Sequence, residues 1–166
     1  MRRGFLLVPL ALVLLLVPAT WSSAQTKNFR THLTGAEEVP PRETPAQGQA
    51  TFQVNEDGTI SFMLIVANID NVFAAHIHCG AAGINGPVGV TLFAGAPAGG
   101  TVNGVLAEGT LTAPDPGNGC GWTSLSQVLA AMEAGTAYVN VHTNDGVAPP
   151  NTGPGDFPGG EIRGQI

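Results

Sequence analysis

A chain of 166 residues with 12 acidic and 6 basic side chains has a formal net charge of −6, which excludes the basic surface that nucleic acid or an anionic membrane requires. Cationic partners, metal ions among them, are compatible with it. Only 11% of the residues are charged, 23 are Gly and 13 are Pro, and the apolar residues are rich in Val and Ile, so an all-β domain with abundant turns is expected.

Arg2 and Arg3 precede an apolar run from Phe5 to Val17, Pro18 follows it, and Ser22-Ser23-Ala24 offers the small residues of a cleavage site. Residues 1–24 therefore read as a signal peptide cut after Ala24, with residues 25–166 as a single exported domain, periplasmic or extracellular. The run is too short to be kept as a transmembrane anchor. Arg2-Arg3-Gly4-Phe5-Leu6 resembles a twin-arginine signal, but so short a basic region favours ordinary secretion. All twelve acidic residues lie after the cut, together with four basic ones, Lys27, Arg30, Arg42 and Arg163.

In chain order, Phe29 to Thr34 reads as a first strand with Phe29, Thr31 and Leu33 on one face, ended by Pro40-Pro41, which cannot continue a ladder. Ala50 to Val54 and Ile60 to Val66 form a hairpin across Asp57-Gly58, with Ala50, Phe52, Val54, Ile60, Phe62, Leu64 and Val66 toward the core. Strands follow over Val72 to Cys79 and Val88 to Phe93, with a weaker one over Val105 to Leu111. Ala113 to Gly119 is irregular. The one helix spans Leu125 to Ala134, with Ser124 as N-cap, Gln127 three residues on as the other half of a capping box, and Gly135 beyond its end. Ala137 to Thr143 is a strand with Ala137, Val139 and Val141 inward, and Gly160 to Ile166 closes the chain. If these two pair, His142 falls near Glu161 and Asn140 near Arg163.

Two of the four histidines sit in Ala75-His76-Ile77-His78-Cys79-Gly80. Strand alternation puts His76 and His78 on one face, about 7 Å apart, and Cys79 on the other. Cys79 and Cys120 in an exported chain are expected to pair, and closing the long loop between them stabilises the fold by roughly 4 kcal/mol in the chain-entropy picture. A thiolate ligand at Cys79 is the competing reading.

Collected together, Leu33-Thr34-Gly35-Ala36-Glu37-Glu38-Val39-Pro40-Pro41, Ala75-His76-Ile77-His78-Cys79-Gly80 with Gly83-Ile84-Asn85-Gly86-Pro87-Val88, Tyr138-Val139-Asn140-Val141-His142-Thr143 and Pro158-Gly159-Gly160-Glu161-Ile162-Arg163-Gly164-Gln165 resemble the CHRD (chordin-type) domain of bacterial secreted proteins, in the family's order. The resemblance implies an immunoglobulin-like or superoxide-dismutase-like antiparallel β-sandwich and, for bacterial members, no settled biochemical role. The chain departs from the family in its long Asn144 to Asp156 insertion.

His76 and His78 with a third imidazole, His142, on another strand make a donor set suited to copper or zinc, with Glu161 as a fourth ligand or as the partner of His142, and with Asn140 and Arg163 on the same face. The structural alternative is a polar cluster that pins the Gly83 to Pro87 turn. His32 is expected in solvent. No Gly-x-Ser-x-Gly elbow or phosphate-binding glycine loop is present, so no catalytic residues are assigned. The reading is a binding or structural module with an unidentified protein or surface partner; the alternative is a small extracytoplasmic redox or metal-handling enzyme with a mononuclear copper site.

Overall fold

The computed structural model describes residues 27–166, and the signal-peptide expectation lies outside them. The clearest local instruction in the chain is the hairpin. Asp57 accepts from the Thr59 backbone N–H (3.0 Å) and hydroxyl (2.6 Å), and Gly58 takes φ +82°. That turn sets strand β2 (Gln47–Val54) against β3 (Ile60–Asp70) in the register Val54↔Ile60, Phe52↔Phe62, Ala50↔Leu64, so the expected core residues share a face. Strand β3 runs past Val66 to Asp70 through a bulged register opposite the late strand β6 (Thr101–Leu111), and Asn68 in the left-handed region (φ +55°) accommodates the irregularity. The strand therefore outlasts its apolar alternation.

The remaining strands are β1 (Asn28–Thr34), β4 (Val72–Cys79), β5 (Val88–Ala94), β7 (Ala137–Thr143) and β8 (Ile162–Gln165). All eight lie in one antiparallel sheet, ordered β5-β4-β7-β8-β1-β2-β3-β6. The edge strands β5 and β6 approach each other, so the sheet is nearly barrel-shaped and its halves face one another as in a sandwich. Leu33, Phe52, Leu64, Ile77, Val139 and Val141 are among the side chains that fill the interior.

Helix α1 (Leu125–Glu133) buries Val128 and Met132 onto that core. Its end is as expected, with Gly135 at φ +65°. Its start differs. Ser124 is the N-cap but makes no capping hydrogen bond and pairs with the Ser126 hydroxyl (2.8 Å), while Gln127 reaches one residue further back to accept from the Thr123 N–H (2.6 Å). Cys79 and Cys120 form a disulfide, Cα–Cα 5.8 Å, tying the end of β4 to the loop between β6 and α1; this removes the thiolate reading. Among the described residues no helix is long and apolar enough to cross a membrane.

Strand β7 departs most from expectation, because every one of its seven residues is buried. Its inward face meets the core. Its other face, carrying Tyr138, Asn140 and His142, is roofed by three loop segments: residues 80–87, the stretch after the 3-10 turn Gly35–Glu37, and the end of the 144–161 connection.

A candidate metal centre

Strand β4 lies beside β7 in the register His76↔Asn140, His78↔Tyr138, Ala74↔His142. Alternation then places His76, His78 and His142 on one face, with ring centroids 5.0–5.6 Å apart. One donor nitrogen from each ring lies within 4.8 Å of the other two.

The backbone decides which nitrogens these are. His78 Nδ1 lies 2.9 Å from the Gly86 carbonyl oxygen, and His142 Nδ1 lies 3.0 Å from that of Pro158. A carbonyl oxygen only accepts, so each Nδ1 holds the proton and each Nε2 presents a lone pair. The two Nε2 atoms face one another at 3.4 Å. In neutral rings neither can donate to the other. Two nitrogens bound tetrahedrally to one zinc ion stand about 3.4 Å apart. His76 adds a buried Nδ1 with no partner. Burial, the principal cause, keeps all three rings neutral: it lowers His142 to about 3 and His78 to about 4, and it lowers His76 as well.

The turn that supplies the Gly86 carbonyl is held by two further side chains. The Tyr138 hydroxyl accepts from the Gly86 N–H (2.9 Å) and donates to its carbonyl (3.2 Å), and the Tyr138 ring stacks on His78 at 4.9 Å and 11°. The Arg163 guanidinium lies 3.5 Å from the Tyr138 ring centroid and donates to the carbonyls of Ala81 (3.2 Å) and Ile84 (3.0 Å) and to Asn85 Oδ1 (3.3 Å). Gly86 itself is required, since a Cβ there would run into the Cys79 carbonyl.

A family profile for the CHRD domain matches residues 29–166. The chain belongs to the CHRD domain family. No curated protein and no solved structure matches it.

Within this CHRD domain the sequence-derived site residues fall into three groups. His76, His78 and His142 converge, and Asn140 pairs with Arg163 across β7–β8 on the same side. Glu161 does not join them: its carboxylate accepts from the hydroxyls of Thr44 (2.5 Å) and Thr143 (2.6 Å) and from the Gly155 N–H (2.9 Å), so it knits the long connection to the sheet. The place proposed for it beside His142 is taken by the Pro158 carbonyl. His32 is exposed on β1, which is separated from β4 by β7 and β8.

Glu38 and Asp115 were not singled out from the sequence. Glu38 is buried, accepts weakly from Asn140 Nδ2 (3.4 Å), and leaves its Oε1 and Asn140 Oδ1 without partners. Burial raises it to about 7 against the opposing pull of Arg163 and then of Asn140. Gly160, at φ +127°, closes over this pair; a Cβ would stand 2.5 Å from Asn140 Nδ2 and 2.7 Å from Glu38 Oε1. Asp115 accepts from the Thr91 hydroxyl (2.7 Å), and Thr91 is the β5 partner of His76. The Gly35 to Pro41 motif carried a signal for Glu38. Nothing in the Pro-Gly loop marked Asp115.

Proposed function

We propose that this CHRD domain works outside the cytoplasm, after removal of residues 1–24, as a binding module whose His76, His78 and His142 hold one divalent transition metal, copper or zinc. The observation that carries this is the pair of Nε2 lone pairs facing each other at 3.4 Å, with both Nδ1 protons already committed to backbone carbonyls. A structural cluster would leave two buried acceptors opposed with no donor between them, which is unfavourable. A cation resolves the conflict with no change of tautomer. Neutral imidazoles are the form that ligates, and burial maintains it. The Cys79–Cys120 disulfide is consistent with an oxidising compartment.

Zn²⁺ and Cu²⁺ titrations of the purified, metal-stripped protein and of His78→Ala test this. The wild type is expected to bind one ion per chain, and His78→Ala at least 100-fold more weakly. At a free zinc concentration of 100 times Kd the wild type gains about 2.7 kcal/mol, read as a rise in Tm that the variant lacks. Equal weak binding by both proteins would overturn the proposal and leave the histidines a structural role. Redox turnover at bound copper would favour the enzyme alternative over a binding module.

A further inference from the structure

Asp115 stands outside the triad, one hydrogen bond away from the strand partner of His76. Its loop is fixed without help from the side chain: its N–H donates to the Gly89 carbonyl (3.1 Å), and its own carbonyl accepts from the Asn118 N–H (3.2 Å) and Nδ2 (2.8 Å). Five residues on, Cys120 is bonded to β4. The carboxylate is then aimed by Thr91, which lies opposite His76 across β4–β5. His76 is the least buried of the three rings, so this is the side of the triad nearest solvent. The donors that converge are the three imidazoles alone, which makes Asp115 a neighbouring charge and not a fourth ligand.

Three neutral imidazoles carry no net charge with which to tell a divalent ion from a monovalent one. The Arg163 cation, whose field reaches His78, disfavours both. We propose that Asp115 is the selectivity-determining anion of this site, a fixed negative charge beside His76 that favours Zn²⁺ and Cu²⁺ over Cu⁺; the inference rests on the metal-binding reading above. A charge at a fixed distance acts on an ion in proportion to that ion's own charge. Whatever factor Asp115 contributes to the affinity for a monovalent ion, it contributes the square of that factor for a divalent one. A direct ligand follows no such rule.

The experiment is Asp115→Asn in the full purified protein, with Zn²⁺ and Co²⁺ affinities by chelator competition and Cu⁺ affinity measured anaerobically. The amide oxygen still accepts from Thr91, so the loop is kept while the charge is lost. The expected losses are about tenfold for Zn²⁺ and about threefold for Cu⁺, both shrinking in 0.5 M salt, with the visible spectrum of bound Co²⁺ unchanged. Thr91→Val, which frees the carboxylate, is expected to give a smaller loss of the same sign. No loss, an equal loss for both ions, or a changed Co²⁺ spectrum would overturn the inference while leaving metal binding intact. A wild-type protein that takes up none of these ions would overturn the reading beneath it as well.

Discussion

Arg163→Met is expected to destabilise the domain by about 2–4 kcal/mol and to weaken metal binding along with the fold. The side chain is 1% exposed, with its guanidinium inserted between the Tyr138 ring and the 80–87 turn. Methionine fills a similar volume but donates no hydrogen bond, so the part-buried bonds to the Ala81 and Ile84 carbonyls and to Asn85 Oδ1, which tie an exposed turn to the sheet, are all lost. An apolar replacement can be neutral where it removes both halves of a buried ion pair. Arg163 makes no such pair among the described residues, so the cost here is the set of turn acceptors it leaves behind. Glu38 remains, already raised to about 7, and goes higher once the Arg163 cation no longer opposes its burial. The turn carries the Gly86 carbonyl that fixes the His78 tautomer, so releasing it also releases the ligand geometry. Arg163→Lys is expected to rescue little, because an ammonium cannot reach several turn acceptors while lying flat on a ring. Urea unfolding of the three proteins checks this. A loss below about 1 kcal/mol for Arg163→Met would show that Tyr138 alone secures the turn.

The part of this site legible in the sequence was the part governed by strand periodicity. Alternation alone placed His76 with His78 and put Asn140 on the side of β7 away from Val139 and Val141; the register joining Asn140 to Arg163 followed once β7 and β8 were taken as neighbours. The disulfide was legible for the same reason, since the face opposite the histidines left Cys79 free to meet Cys120. Loops obey no such period. Alternation says nothing of what covers the polar side of β7, which segments cross from three distant parts of the chain, and the Pro158 carbonyl takes the position beside His142 that side-chain reasoning gave to Glu161. Glu161 went elsewhere because Thr44, Thr143 and Gly155 bring it three donors, a convergence created by tertiary folding. Asp115 was hidden likewise: its neighbour Thr91 is 24 residues away in sequence, and only the β4–β5 register connects that threonine to His76.

Acidification of the metal-free domain from about pH 6.5 to about pH 4 is expected to unfold it progressively, with a slope set by four groups, three histidines and one opposing glutamate. His78 and His142 ordinarily titrate near 6.5 but are held at about 4 and about 3 in the fold, so between 6.5 and 4 the unfolded chain binds two protons that the native state refuses. Stability therefore falls as the pH falls through that window, by about 1.4 kcal/mol per pH unit for each such proton. His76 adds in the same direction. Glu38 works the other way. Raised from 4.5 to about 7, it is protonated in the fold and ionised in the unfolded chain throughout the interval between, which favours the native state as the pH drops. The two histidines less Glu38 leave a net difference of about one proton between pH 6.5 and 4.5, and about two below 4.5, where Glu38 is protonated in both states. The stability curve is thus expected to be shallow first and then to steepen. Glu38→Gln removes the opposing group and should make the upper part of the curve as steep as the lower. Chemical denaturation at half-unit pH intervals on both proteins reads this directly. A wild-type curve flat from 6.5 to 4 would mean that the imidazoles gain protons in the native state as readily as in the unfolded one, and the neutral, lone-pair-forward triad would be lost with it.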